Sequence, residues 1–371
     1  MLPKHKTTPK YFQTLTGKKL PLPLFFPDAT RAVVKSLDSL DIENTKTPGV
    51  LVNTYHLIDQ PGKSTIKSFG GIRKYMNWNG ACISDSGGFQ IMSIVKSSNI
   101  PNPITDRGVV VRSTKKGRQI FTPTDSIDLQ ISLKTDLIVV LDDFTPSNVT
   151  LLQARDTVER TITWAKCCKT QFENYFRNSE PKKRPYLIGV VQGGSYPKLR
   201  QECTQRLVEI GFDGLGYGGW PINSDGSFDY KSAQIIKKNT PPNYLLYGLG
   251  IGKPDEIVNL VKSGWHIFDC VLPSRDARHK RLYTFNSNSI EKIDLSKDKF
   301  YSYYTPDKNI YYKDKRPVSF ACDCPLCKNY SRAYLCHLFK IGDFTAGRLA
   351  TIHNLRFYSI LMEKLQSHNV L

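Results

Sequence analysis

Three aspartates stand where buried strands of this chain would end. Asp85, Asp142 and Asp269 each follow a short apolar run directly. A carboxylate in that position can act as a nucleophile, as a general acid or base, or as an acceptor for the N–H groups of a ligand. Chelation of a Mg²⁺-like cation is the other chemical option. The glycines and aromatic residues beside these acids suit a flat heterocycle better, although each Asp can instead cap a helix.

Glycines and an amide follow other apolar runs and could complete a binding site. In the segment 85–90, two glycines permit positive φ and close approach of a ligand, and Phe89 supplies a flat apolar face. Gln192 precedes two glycines, and Gly218 and Gly219 form another pair. If these runs are neighbouring strands, their ends place amide and backbone N–H donors at the same edge of the sheet as the three aspartates.

A cysteine cluster near the C-terminus indicates a metal site. Cys322, Cys324 and Cys327 lie within six residues. Zinc in structural sites takes four Cys or His ligands tetrahedrally, which leaves no position for water. We therefore predict one structural zinc ion per chain. The fourth ligand is expected to be His353, 26 residues after Cys327, but spacing alone leaves His337 and Cys336 as alternatives.

Composition predicts a cytoplasmic protein with a polyanionic partner. The 371 residues include 52 Lys and Arg against 33 Asp and Glu, a net charge of +19. A general lysine bias is the alternative explanation, because many lysines lie in polar loops such as 296–315. No segment approaches the roughly 20 apolar residues that span a bilayer, and the N-terminus lacks a signal-peptide core. Nine cysteines, an odd number, suit a reducing compartment.

Eight short apolar runs predict an α/β protein with a (β/α)8 barrel. Most of the runs alternate with helical patterns, and nearly all end in Gly, Asp, Asn or Pro. In a barrel of this type the site is built at the carboxyl ends of the strands. An open doubly wound sheet is the main alternative. The runs are 21–26, 49–52, 81–84, 136–141, 186–191, 212–217, 244–249 and 266–268.

Two segments interrupt this repeat. Between residues 90 and 135, the runs 109–113 and 118–122 predict a β-hairpin inserted after the third strand. Residues from about 285 to 345 follow the eighth strand and carry the cysteines, which predicts a zinc-binding subdomain. A final helix over about 346–366 would close the barrel. We therefore expect residues 1–371 to form a single catalytic domain.

With these residues in view, the chain resembles the tRNA-guanine transglycosylase (queuine tRNA-ribosyltransferase) family, bacterial type. The likeness extends from about Thr8 to Leu365, and several of its motifs are long and specific. It is carried by residues 53–57, 85–90, 191–194, 268–271, 273–275, 277–278, 322–324, 327–335 and 351–355.

The resemblance implies a TIM barrel with a zinc subdomain and a pentosyltransferase that acts on the tRNA anticodon loop. Such an enzyme exchanges guanine at the wobble position for a 7-deazaguanine, either queuine or its precursor. It also implies that Asp269 is the nucleophile on ribose C1′ and that Asp85 is the general acid and base. Family members are commonly homodimers.

Further roles follow from the same resemblance. Asp142 would accept hydrogen bonds from the purine N1–H and amine, Gln192 and the Gly219 amide would address its six-position oxygen, and Phe89 and Leu249 would sandwich the ring. The residues implied to contact RNA are Arg275, Arg278, Lys280 and Arg281. The implied zinc ligands are Cys322, Cys324, Cys327 and His353.

The chain departs from the bacterial pattern at two places in the base pocket. Asp-Asp-Phe-Thr-Pro at 142–146 replaces Asp-Glu-Cys-Thr-Pro, and residues 220–223 replace Leu-Ala-Val-Gly. Both leave open which deazaguanine is accepted. Two alternatives to a tRNA-modifying enzyme remain: a non-catalytic tRNA-binding accessory subunit, and a transglycosylase relative that acts on DNA. Retention of both Asp85 and Asp269 favours an enzyme over the accessory subunit.

Overall fold

The computed structural model describes residues 7–88, 103–113 and 117–367, and within them eight parallel strands form a nearly closed barrel. In chain order, the barrel strands are Leu24–Pro27, Gly49–Asn53, Ala81–Asp85, Leu137–Val139, Tyr186–Val191, Gly214–Tyr217, Leu245–Gly248 and Ile267–Cys270.

Every barrel strand lies beside its neighbours in the sequence, and the eighth pairs with the first. The remaining contact of the ring, between the first and second strands, is a parallel bridge between Asp28 and Leu51. There the Ala29 amide donates to the Leu51 carbonyl at 2.7 Å. An open doubly wound sheet would reverse its strand order at a switch point. The predicted barrel is therefore confirmed, and each of the eight apolar runs contributes one strand.

Helices cover the barrel because each buries one apolar face. The long helix Leu151–Phe176 begins with a capping box between Thr150 and Gln153, and it buries Trp164, among others, against the core. The other α-helices among the described residues are Ser39–Asn44, Thr54–Leu57, Lys63–Ser68, Ile72–Met76, Pro123–Leu133, Pro197–Ile210, Tyr230–Asn239, Pro254–Lys262, Leu272–Arg278, Pro325–Asn329, Arg332–Ile341 and Phe344–Ser367. No helix in this part of the chain is long and apolar enough to cross a membrane.

The segment after the third barrel strand contains the predicted hairpin. Gly108–Ser113 pairs antiparallel with Gly117–Phe121, and Val109 lies opposite Phe121. A short strand that was not predicted, Ile104–Thr105, pairs with the other edge. The inserted hairpin is thus confirmed as part of a three-stranded sheet.

Two further strands, Leu282–Phe285 and Tyr301–Tyr304, pair antiparallel after the eighth barrel strand. The last helix, Phe344–Ser367, then returns to the barrel, where the rings of Tyr358 and Phe25 lie 4.4 Å apart. This helix begins two residues before the predicted start and ends one residue after the predicted end. A separate small sheet, formed by Tyr11–Gln13 and Lys19–Pro21, precedes the first barrel strand.

One buried carboxylate ties several elements together at the amino ends of the strands. Asp136 precedes the fourth strand, and its side chain is fully buried. It accepts hydrogen bonds from the Leu15 amide and the Cys82 amide, each at 2.8 Å, and from the Arg73 guanidinium at 2.6 Å. The interaction therefore joins the N-terminal segment, the third strand and the helix Ile72–Met76 to the fourth strand.

We expect Asp136→Asn to lower the free energy of unfolding by about 3–5 kcal/mol, because it leaves the Arg73 charge without its buried partner. Denaturant titration followed by circular dichroism measures this loss. The matched control is Asp106→Asn, since the Asp106 carboxylate also pairs with an arginine but is 94% exposed. The control should change stability by less than about 1 kcal/mol. Equal effects of the two substitutions would contradict this account.

Candidate active site and metal centre

A cavity of about 440 Å³ opens at the carboxyl ends of the barrel strands. It brings together the three aspartates that the sequence singled out, Asp85, Asp142 and Asp269, and adds a fourth, Asp28. The remaining wall is largely glycine and apolar residues. The cavity therefore combines several carboxyl groups with surfaces that a flat ring can pack against.

Asp85 ends the third strand and is held by the adjacent second strand. Asn53 lies directly opposite it in the parallel register and donates an amide hydrogen bond at 2.7 Å. The backbone N–H groups of Thr54 and Gly87 donate to the same carboxylate at 3.3 and 3.1 Å. Burial, together with the charge of Asp269, raises the pKa of Asp85 to about 7, although these hydrogen bonds act to lower it. Near neutral pH, this group can therefore both donate and accept a proton.

Asp269 lies near the end of the eighth strand, opposite Phe26 of the first. Its carboxylate accepts a hydrogen bond from the Gly250 amide at 3.0 Å. Burial raises the pKa of Asp269 to about 6, while the Gly250 bond and the nearby Tyr247 hydroxyl lower it. Tyr247 does not meet the carboxylate in good hydrogen-bond geometry. Asp269 is therefore mostly ionised at pH 7, as a nucleophile must be.

Asp142 and Gln192 form a hydrogen-bonded pair across the fourth and fifth strands. The Gln192 Nε2 donates to the Asp142 carboxylate at 2.6 Å, and its Oε1 accepts from the Thr145 amide at 3.0 Å. Burial raises the pKa of Asp142 to about 7, although the Gln192 bond lowers it. The side chain of Gln192 is thus held at both ends.

The opposite part of the cavity wall comes from the sixth and seventh strands. Gly219 lines it with a φ of +80°, in the left-handed region that favours glycine. The Arg200 guanidinium donates to the preceding Gly218 carbonyl at 2.7 Å and so fixes this turn. Leu249 also lines the cavity. Phe89, predicted to stack on the base, lies outside the described residues.

The four predicted RNA-contacting residues follow the eighth strand, and one of them reaches the cavity. Arg275 lines its rim and is about half exposed. The Arg278 guanidinium donates to the Ser274 carbonyl at 2.7 Å, and Lys280 pairs with Asp307 at 2.9 Å. Arg281 lies over the Tyr303 ring.

Sequence reasoning missed Asp28, Asn53 and Tyr247 as site residues. Asp28 carried nearly the same signal as the other acids, since only Pro27 separates it from the first apolar run. Asn53 likewise ends a run. Tyr247 lies inside a strand, and no local sequence pattern distinguishes a strand residue near the cavity from one in the barrel core.

Cys322, Cys324, Cys327 and His353 form a compact cluster whose four ligand atoms all lie within 4.8 Å of one another. The His353 Nδ1 is 3.5 Å from the Cys324 sulfur and 3.3 Å from the Cys327 sulfur. A tetrahedral zinc ion places neighbouring ligand atoms roughly 3.5 Å apart, because its bonds are about 2.0–2.3 Å long. These residues therefore fit a metal ion.

The second ring nitrogen of His353, Nε2, fixes the direction in which its imidazole faces. The His353 Nε2 bonds the Tyr283 carbonyl at 2.8 Å, which directs Nδ1 toward the sulfurs. By contrast, His337 is exposed, and the Cys336 thiol donates to the Lys308 carbonyl. Of the candidates that spacing left open, the structure thus places His353, and not His337 or Cys336, with the three thiols.

A family model described as Queuine tRNA-ribosyltransferase matches residues 12–368. The chain belongs to this family. A queuine tRNA-ribosyltransferase of Acinetobacter baumannii (strain ACICU) is 35% identical over 354 residues, which cover 95% of this chain and 88% of the relative. Another, of Thermoanaerobacter pseudethanolicus, is 37% identical over 345 residues, which cover 93% of this chain and 85% of the relative. The predicted family and enzyme class, a pentosyltransferase, are confirmed.

We expect Asp269→Asn to melt at a higher temperature than the wild type at pH 8, with a smaller difference at pH 4.5. The folded pKa of about 6 exceeds the ordinary 3.8, so stability due to this group is lost as pH rises between those values. Each unit of pKa shift corresponds to about 1.4 kcal/mol of unfolding free energy. Differential scanning calorimetry measures the effect.

The control is Asp225→Asn, in an exposed turn where hydrogen bonds from Ser227 lower the aspartate pKa. It should show no gain at pH 8. A gain for Asp269→Asn that is equal at both pH values would refute the assigned shift.

Proposed function

We propose that this chain exchanges guanine at the wobble position of a tRNA anticodon for a 7-deazaguanine, queuine or its precursor, through a covalent ribosyl-aspartate intermediate. The observation that carries the proposal is the convergence of Asp85 and Asp269 in one cavity of a queuine tRNA-ribosyltransferase family member. One carboxylate is needed to attack carbon and another to move a proton. Their different pKa values suit that division.

In the first half of the reaction, an Asp269 oxygen attacks ribose C1′ and the C1′–N9 bond to guanine breaks. Asp85, protonated, gives its proton to the leaving base, because anionic guanine is a poor leaving group. In the second half, N9 of the incoming base attacks C1′, its proton passes to Asp85, and the bond to Asp269 breaks. Two inversions preserve the glycosidic configuration, and the phosphodiester backbone stays intact.

The base would lie against the wall formed by the fourth to seventh strands. Asp142 would accept from the purine N1–H and exocyclic amine. The Gln192 amide has a second N–H besides the one on Asp142, and with the Gly219 amide it would address the six-position oxygen. Leu249 and Phe89 would enclose the ring. Phe144 and Trp220, which also line the cavity, would border the substituent that distinguishes one deazaguanine from another.

Positive charge supports an RNA partner. Arg275 at the rim would meet the anticodon loop, and the net charge of +19 would attract its phosphates. Arg278, Lys280 and Arg281 would contribute on the same side. We also propose that residues 1–371 form one catalytic domain that acts in the cytoplasm as a homodimer.

We propose that the metal in the Cys322, Cys324, Cys327 and His353 cluster is zinc and that its role is structural. Four protein ligands fill a tetrahedral shell. Asn354, next to His353, donates to the carbonyls of Pro273 and Arg281, each at 3.0 Å. The cluster would thus hold the last helix against the segment that follows Asp269.

Substitutions of Asp269 and Asp85 should impair base exchange in different ways. Asp269→Asn cannot form the ribosyl bond, so we expect it to abolish exchange while RNA binding persists. Asp85→Asn keeps the nucleophile but removes proton transfer, so exchange should fall by about 10²–10⁴-fold. The measurements are labelled-guanine exchange into tRNA and a denaturing gel that detects a covalent enzyme–RNA band.

The outcomes of this experiment separate the alternatives. An adduct with Asp269→Asn but none with Asp85→Asn would reverse the two roles. Folded wild type that exchanges no base in any tRNA would support an accessory subunit, and incorporation into duplex DNA alone would support the DNA-acting relative.

We expect Cys324→Ser to lose zinc and to cost folding or assembly, because the buried cluster then lacks one ligand. Metal analysis, circular dichroism and size-exclusion chromatography follow the change. Cys336→Ser is the matched control, since Cys336 is also buried but lies outside the cluster, and it should keep its zinc. A Cys324→Ser protein that loses zinc yet stays folded, equally associated and fully active would overturn the structural role.

A further inference from the structure

Asp28 lies in the cavity together with Asp85 and Asp269, and the roles proposed above do not use it. It stands just past the end of the first strand and bridges Leu51 of the second. The Ala29 amide bond to the Leu51 carbonyl fixes the backbone beside it. Asp28 therefore occupies the mouth between the eighth strand, which carries Asp269, and the second and third strands, which carry Asn53 and Asp85.

The surroundings of Asp28 differ from those of the other acids. Asp85 accepts three hydrogen bonds, and Asp269 and Asp142 accept one each. Within the described part of the chain, no group donates a hydrogen bond to the Asp28 carboxyl. A polar group that lines a cavity without a protein partner is suited to bond a ligand.

Barrel topology divides the cavity into two sides. The groups suited to a base, Asp142, Gln192 and Gly219, lie on or just after the fourth, fifth and sixth strands. If Asp269 attacks C1′ while the base fills that side, the sugar must lie on the other side, toward the first and second strands. Asp28 is the carboxyl on that side.

Only one sugar hydroxyl is free at that place. Within an RNA chain the 3′ and 5′ oxygens are bonded to phosphates, so the ribose of an internal nucleotide offers only its 2′-hydroxyl. That hydroxyl is on the carbon next to C1′, the atom that Asp269 would attack. A group that holds it therefore also holds C1′ in position.

We propose that Asp28 hydrogen-bonds the 2′-hydroxyl of the target ribose, and thereby positions C1′ against Asp269 and selects RNA over DNA. This inference rests on the proposed function. The 2′-hydroxyl is the group by which a protein distinguishes RNA from DNA at a given nucleotide.

The protonation state of Asp28 agrees with this role. Burial, together with the charges of Asp269 and Asp85, raises the pKa of Asp28 to about 8. At pH 7 the group is therefore mostly neutral, with one O–H donor and one carbonyl acceptor for the hydroxyl. A neutral carboxyl also avoids adding a negative charge beside the attacking carboxylate.

The test crosses protein variants with substrate variants. Wild type, Asp28→Asn and Asp28→Ala are assayed at pH 7 for guanine exchange into an anticodon stem-loop RNA, and into the same RNA with a 2′-deoxyribose at the target nucleotide only. Asn keeps one donor and one acceptor, whereas Ala keeps neither. Asp225→Ala is the matched control, because it removes an exposed negative charge from the turn that follows the sixth strand.

We expect the wild type to lose roughly 5- to 50-fold in kcat/KM on the 2′-deoxy substrate, the usual worth of one or two hydrogen bonds. Asp28→Ala should lose a similar factor on the ribose substrate and little more on the 2′-deoxy one. Asp28→Asn should stay within about threefold of the wild type, and Asp225→Ala should match it.

Either of two results with Asp28→Ala overturns this inference alone. If Asp28→Ala loses the same factor on both substrates, or loses nothing on the ribose substrate, Asp28 does not act through the 2′-hydroxyl. The Asn variant guards against misfolding, since melting curves and retained exchange show that the site tolerates substitution. A wild type that exchanges no guanine at all would instead overturn the proposed function, and this inference with it.

Discussion

Closure of eight parallel strands into a ring is the constraint on which the site depends. Parallel hydrogen bonding points all eight carboxyl ends the same way, so residues far apart in the chain meet at one mouth. Asp28 and Asp269 are separated by more than two hundred residues, yet the pairing of the first and eighth strands makes them neighbours. The register between Asn53 and Asp85 arises from the same ring.

That convergence has an electrostatic consequence. Carboxyl groups gathered in a cavity lose hydration and repel one another, so their pKa values rise toward neutrality. Asp28, Asp85 and Asp269 reach about 8, 7 and 6 in that order. Asp28 has the highest value because it accepts no hydrogen bond among the described residues and lies near the charges of both other acids. Asp85 lies above Asp269 because the charge of Asp269 raises its pKa, whereas no neighbouring acid raises that of Asp269 and the Gly250 amide stabilises its ionised form. One mouth can therefore hold a neutral, a half-protonated and a mostly ionised carboxyl group at the same pH near 7.

The Cys/His cluster is coupled to this mouth through the last helix. His353 bonds the Tyr283 carbonyl, while Asn354 donates to the carbonyl of Pro273, in the first turn of the helix Leu272–Arg278, and to that of Arg281, beyond its end. The same helix packs Tyr358 on Phe25 of the first strand. A change at the cysteines would thus reach the segment that carries Arg275.

The sequence by itself determined the strands, the inserted hairpin, the three cysteines and the family, because each depends on a local pattern of residue types. Apolar runs that end in polar residues predict burial and a turn wherever the chain goes. Only the tertiary structure decided that His353 rather than His337 faces the thiols, that Gln192 bonds Asp142, and that Asp28 lies beside Asp269. Those contacts join segments remote in the chain, and their geometry is set by barrel closure and helix packing, which local periodicity does not encode.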